Sequence, residues 1–289
     1  HYSRCFVEHS IRKARRARLV VANHALVMIQ AAMGSSDNEE RTLPTRYVFD
    51  EGHHVFDAAD SAFAANLSGR EMMDLRRWLL GAEGSGRRRS GGRARGLRNR
   101  VEDLIAADDT ESFDALAAAV EAAQLLPAPD WLNRLSSNAP EGAAETFLAE
   151  CRSQVFARAP ADTGPYSQET DIRPPTKNLP RAAEELREAL IALATPLREL
   201  CNRLLRRLDK DADELESPIR VRIEAVSRAL QRRAEITLGA WIDMLDTINE
   251  PASESFVDWV EVERIDGREI DAGLFRRWVD PTLPFAASM

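Results

Sequence analysis

Six leucines, at 186, 190, 193, 197, 200 and 204, recur in steps of four and three within "LPRAAEELREALIALATPLRELCNRLLRRL". That spacing gives one apolar seam on a coiled-coil-like helix, and it commits the middle of the chain to helical packing. Pro196 falls inside the seam, and its missing N–H predicts a kink or a split there. A second stretch follows, with Ser217 placed as an N-cap and Pro218 at the first helical position. Ile219, Ile223, Val226, Leu230, Trp241, Leu245 and Ile248 then keep a compatible period. Together the two stretches predict an antiparallel pair of long helices.

The flanks have a different texture. "LVVANHALVMI" opens with a β-branched run, and "RYVF" is a short apolar run ending at Asp50. Short buried strands separated by helical or loop segments are the pattern of a parallel α/β sheet. From about residue 67 to 250 the composition is almost wholly helical. "SFVDWVEVERIDGREIDAG" then returns to β alternation, with Asp266-Gly267 as a hairpin turn. The order is α/β, a helical insert, then α/β again.

At 289 residues and 44% hydrophobic content, the chain is long enough to build real cores. No run approaches the roughly 18 apolar residues of a membrane span. The first residues show neither a signal-peptide core nor an initiating methionine, so the chain is expected to be a piece of a longer one. A net charge of -8 argues against wholesale coating of nucleic acid, though not against a confined basic groove. Three scattered cysteines, Cys5, Cys151 and Cys201, make no disulfide framework and fit a reducing, cytoplasmic compartment. Cys151 and Cys201 sit in helical patterns and read as core thiols.

"DEGHH", residues 50 to 54, is the segment with chemistry in it. Two adjacent carboxylates at the carboxyl end of a strand stand where open α/β folds bind nucleotides. Asp50 could hold a hydrated Mg²⁺ that neutralises phosphates, while Glu51 orients or deprotonates an attacking water. His53, two positions on, could report the state of the γ-phosphate to neighbouring segments. The plainer reading of the acids is an exposed turn that ends a strand. A zinc site built from His24, His53 and His54 is disfavoured, because adjacent histidines cannot share one helical face and no H-E-x-x-H is present.

Residues 5 to 28, "CFVEHSIRKARRARLVVANHALVM", followed about two dozen residues later by "YVFDEGHH", resemble the DinG and XPD family of iron-sulfur, superfamily-two DNA helicases. The cysteine that opens the family segment corresponds to Cys5, and the Asn-His-x-Leu stretch to Asn23, His24, Ala25 and Leu26. The DEAH-type Walker B box corresponds to Asp50, Glu51, Gly52 and His53, with Gly52 in place of the usual alanine. The resemblance implies a fragment of a RecA-like motor domain in residues 1–66, with the end of an iron-sulfur region and the Walker B strand. It implies a mostly helical, Arch-like insertion over 67–250 and a return to the motor domain over 251–289. It further implies ATP and Mg²⁺, catalysis by Glu51 and His53, and a 4Fe-4S cluster of which Cys5 is the last ligand. The implied partner is single-stranded or forked DNA, unwound 5′ to 3′ by a monomer.

Asn23, His24, Arg12, Arg15 and Arg16, with Lys13 and Arg18, are the candidate nucleic-acid contacts. The alternative for the basic run is a solvated helix face. The arginine-rich stretch from Arg87 to Arg100 reads as a solvated loop rather than a DNA contact. No G-x-x-x-x-G-K-[ST] occurs, and nothing after "PTLPFAASM" supplies a second motor domain. The piece alone is therefore expected not to turn over ATP. A non-enzymatic helical interaction or nucleic-acid-binding module, with "DEGHH" incidental, is the competing class.

Overall fold

The computed structural model describes residues 6, 10, 13–14, 16–34, 46–83, 96–159 and 164–288. The chain divides into two compact units, one made of residues 1–63 with 280–289 and the other of Ala64–Val279. Within the described residues the architecture is mostly helical, with one small antiparallel sheet.

The larger unit is organised by the leucine seam. Helix α8 (Leu179–Lys210) runs for 32 residues, about 48 Å at 1.5 Å per residue, and all six seam leucines are buried. Pro196 does not split it. The proline is half-buried, and the carbonyl deprived of an N–H partner belongs to the exposed Ala192, where water can satisfy it. A short turn leads into α9 (Ser217–Gln231), a π-helical segment (Arg232–Thr237) and α10 (Leu238–Asp246). All three fold back along α8, burying Ile223, Leu230, Trp241 and Leu245 as the spacing predicts. Ser217 is the first residue of α9 rather than its cap, since the extended residue before the helix is Glu216.

The remaining helices close the other sides of α8. They are α3 (Gly69–Leu80), α4 (Arg98–Val101), α5 (Thr110–Ala122), α6 (Trp131–Ser136) and α7 (Gly142–Arg158). Of these, α5 and α7 pack directly on α8. Cys151 and Cys201 lie in this core, as expected, and burial pushes the Cys201 thiol up to about 11 and Cys151 higher still.

The sheet has the order β1 (Ala65–Ser68), β4 (Arg268–Trp278), β3 (Phe256–Ile265), β2 (Gln168–Asp171), every neighbour antiparallel. Asp266 and Gly267 both have positive φ, 51° and 77°, the geometry of a tight hairpin turn. Alternate residues Val260, Val262, Ala272 and Leu274 face the core, where α7 covers them. Asp258 and Arg276 are directly opposed and form a buried two-pronged pair at 2.6 and 2.9 Å.

Two expectations change here. The hairpin of residues 256–278 belongs to the helical unit's own sheet, so that unit extends from 64 to 279 instead of from 67 to 250. Alternation identifies a strand but not its partner, and the partners of the strand carrying Trp259, Val260 and Val262 are β2 and β4, not the segment of Val48 and Phe49. The expectation that the regions near Asn66 and Glu254 lie close is met by a sheet in which β4 stands between β1 and β3. Asn66 and Trp259 both oppose Phe275 from either side, and Ala65 opposes Arg276.

The smaller unit departs further. A parallel sheet was expected, yet residues 19–22 and 46–49 join no ladder among the described residues. A strand exists only through pairing with another, and here Val21 and Val48 are 93% and 96% exposed. What packs instead is α1 (His24–Gly34) on α2 (His54–Ala62), with α11 (Thr282–Ser288) against both. Its buried centre is Met28, Val55 and Ala59.

Gly273 is where β4 touches β1 most closely. A Cβ there would lie 2.5 Å from the Leu67 carbonyl oxygen and 2.7 Å from the Ser68 Cα. Gly273→Ala is expected to lower the stability of the larger unit by about 1–3 kcal/mol through overpacking, measured as a fall in the midpoint of thermal or urea unfolding.

Candidate functional site

The acids of "DEGHH" sit in a turn at the mouth of α2. Asp50 Oδ1 accepts from the Glu51 N–H at 3.1 Å, and the carbonyls of Glu51 and Gly52 accept from the N–H groups of His54 and Val55 at 3.0 and 3.1 Å. Glu51 has φ 50°, a left-handed conformation that a residue with a Cβ adopts reluctantly. Its side chain is 70% exposed, and Oε2 lies 3.4 Å from Nδ1 of His53, itself 67% exposed. An ion pair so open to water adds little stability. The His53 and His54 rings stand 4.0 Å apart, centroid to centroid. At Gly52 a Cβ would meet nothing within 4 Å and φ is not left-handed, so the site has room for alanine and the departure from the DEAH pattern is not imposed by sterics.

The turn is anchored from behind. Phe49, immediately before Asp50, packs its ring at 5.9 Å from His24 and at 6.1 Å from Phe285, and stacks on Tyr47 at 6.2 Å. The structure thus brings together two segments singled out from sequence, Asn23-His24 and Asp50-Glu51, through one aromatic side chain. Phe285 is the partner that sequence reading missed. It lies more than 200 positions away in a short helix with no periodic signal, so nothing local marks it.

Asn23 has a local duty. Its Oδ1 accepts from the Leu26 N–H at 2.9 Å, the N-cap bond of α1. The Asn-His-x-Leu stretch is therefore a helix start whose second residue, His24, leans on Phe49. Lys13, Arg16 and Arg18 are exposed, consistent with either a phosphate contact or a solvated face. Cys5, Arg12 and Arg15 lie outside the described residues, as do 84–95 of the arginine-rich stretch. Of that stretch, Arg98 and Arg100 are not loop residues but form the helical turn α4.

As oxygen donors, the exposed carboxylates of Asp50 and Glu51 suit a hard cation such as Mg²⁺, which keeps most of its waters and needs only one or two protein carboxylates. Among the described residues no cluster of three or more His, Cys, Asp or Glu groups could hold a metal by itself. No described helix is long and apolar enough to cross a membrane.

No protein-family model matches the chain. Over 77 residues it is 38% identical to the "ATP-dependent DNA helicase YoaA" of Haemophilus influenzae (strain ATCC 51907 / DSM 11121 / KW20 / Rd), a match covering 26% of this chain and 12% of that protein. At that coarse level the chain is related to an ATP-dependent DNA helicase.

Replacing Asn23 with Ala is expected to remove the cap of α1 and to cost about 1 kcal/mol. Faster amide hydrogen exchange across residues 24–28, with the larger unit unchanged, is the measurement that checks it.

Proposed function

We propose that this chain is a segment of an ATP-dependent DNA helicase of the DinG and XPD type, contributing the Walker B turn to a RecA-like motor and a large Arch-like insertion. The observation that supports this reading best is the turn itself. Two exposed carboxylates precede a helix, with His53 against Glu51, and Phe49 ties them to the Asn23-His24 helix start. The similarity to a DNA helicase points the same way.

In this reading Asp50 would hold Mg²⁺, whose charge neutralises the nucleotide phosphates when bound. Glu51 orients the attacking water and accepts its proton. Glu51 has a left-handed backbone, and His53 lies 3.4 Å from its carboxylate, a contact that a change at the γ-phosphate would disturb. The exposed segments at 19–22 and 46–49 carry apolar side chains that a motor-domain sheet would cover. The DNA partner would be single-stranded or forked, and the direction of unwinding 5′ to 3′. Cys5 stands as a cluster ligand on the family resemblance alone.

In the full-length protein, Glu51→Gln is expected to cut DNA-stimulated hydrolysis by about 10²–10⁴-fold while nucleotide binding stays near normal. Asp50→Asn should instead raise the Mg²⁺ concentration needed for half-maximal rate. Single-turnover hydrolysis at saturating nucleotide, with a Mg²⁺ titration, measures both. Near-normal turnover in the Gln variant would remove Glu51 from the mechanism.

A further inference from the structure

An antiparallel sheet with one face in the core normally turns polar side chains to water on the other. The sheet of the larger unit departs from this. Val260, Val262, Ala272 and Leu274 point into the core, so the residues that alternate with them form the opposite face. Register sets these in rungs: Asp171, Trp259, Phe275 and Asn66 lie across one, and Val257 opposes Arg277 on the next. Val257 is 52% exposed, while Trp259 and Phe275 are half-buried. An apolar strip therefore stays open over the two central strands.

The two rings stack at 5.6 Å with 20° between their planes. The Arg277 guanidinium lies 5.5 Å from the Trp259 ring centroid, and Trp259 Nε1–H donates to Glu261 Oε2 at 3.3 Å. Beside the rings acids accumulate. Glu261 directly opposes Glu169 across β3 and β2, and Glu263 follows two positions on, on the same face. Like charges opposed on neighbouring strands are destabilising. Burial chiefly, and then the charges of Glu169 and Glu263, hold the Glu261 carboxyl above the usual carboxylate range, although Trp259 and Arg277 pull it down. Glu263 has the Arg70 guanidinium at 3.4 Å, whereas Glu169, which is exposed, makes no ion pair among the described residues.

We propose that this face docks an extended, arginine-bearing segment of a partner protein, with one guanidinium against the Trp259–Phe275 rings and bonded to Glu261, and with Glu169 and Glu263 taking the neighbouring cations. Arginine fits better than lysine, because its planar fork both stacks on an aromatic ring and pairs with a carboxylate through two bonds. Arg277 already shows a guanidinium resting beside Trp259. An extended segment presents every second side chain to one side, about 7 Å apart, which matches the two-residue steps from Trp259 to Glu261 to Glu263. A nucleic acid carries the wrong sign for these carboxylates. The inference stands on the sheet alone and does not depend on the helicase reading.

The test titrates the 289-residue chain into a fluorescein-labelled Arg-Thr repeat peptide of about eight residues and follows anisotropy at roughly 0.1 M salt. Saturable binding is expected, with a matched Lys-Thr peptide weaker by about 5-fold or more. In the double variant Glu169→Gln, Glu261→Gln the Kd should rise about 10-fold. The same variant should melt no lower than the parent, since it removes the opposed like charges, and this separates lost binding from lost folding. Glu184→Gln with Glu185→Gln removes the same charge from exposed carboxylates paired on α8 and should leave the Kd unchanged. No saturable binding by the parent, an unaltered Kd in the first double variant, or an equal loss in the second would overturn the docking face. Equal affinity for the lysine peptide would overturn the contact with the rings. A labelled oligo(dT) that binds the parent and loses affinity in the first double variant would assign the face to nucleic acid and overturn the choice of partner.

Discussion

The structure of the larger unit depends on the antiparallel pairing of β1 with β4, which joins residues 65–68 to residues 273–276. Closing so long a loop has a large entropic cost, and each further contact inside the loop is cheap once it is closed. Several interactions secure the seam. Gly273 permits close approach to Ser68, and Trp241 donates from α10 to the Asn66 carbonyl at 2.8 Å. Asp271 accepts from the N–H groups of Arg70 and Ala272 at 3.1 and 2.9 Å, binding the start of α3 to β4 while its own pKa is raised by burial. On the next strand the Asp258–Arg276 pair is nearly removed from solvent and also bonds to Thr247. Losing either partner would leave an uncompensated buried charge, at a cost on the order of 3–5 kcal/mol.

This seam also explains how the unit interrupts another. The chain enters on β1 and leaves from β4, neighbours in one sheet, so the entry and exit points are held together by ladder hydrogen bonds. The smaller unit is correspondingly discontinuous, taking residues from both sides of the interruption and packing Phe285 against Phe49. An insertion tethered in this way can be large without straining its host. The "DEGHH" turn belongs to the discontinuous unit.

The "DEGHH" turn and the surroundings of Trp78 are held in different ways. At the "DEGHH" turn the backbone is strained at Glu51 and the acids are open to solvent, with order supplied by Phe49 behind them. Around Trp78 two guanidinium groups from distant elements meet one ring, Arg100 at 5.8 Å and Arg233 at 3.8 Å from its centroid.

The leucine seam of α8, the α9–α10 stripe, the Asp266-Gly267 turn and the core thiols were all legible in the sequence, because each is set by a period or a dipeptide within a few residues. Of "DEGHH" the order of acids and histidines stood out in the sequence, and the structure adds that they form an exposed turn ahead of α2. Partner choice was decided only in three dimensions. Alternation at 256–278 could not say which sheet the hairpin would join, and the apolar runs at 19–22 and 46–49 could not become strands without a ladder among the described residues. Continuity of α8 through Pro196 was set by which side of the helix faces water. The meeting of Trp78 with Arg100 and Arg233 draws on residues more than 150 positions apart, and so does the contact of Phe49 with Phe285. Local sequence dictates periodicity and turn geometry because those act through neighbouring dihedrals. Pairing across the chain depends on burial and charge summed over the whole fold, which no short stretch encodes.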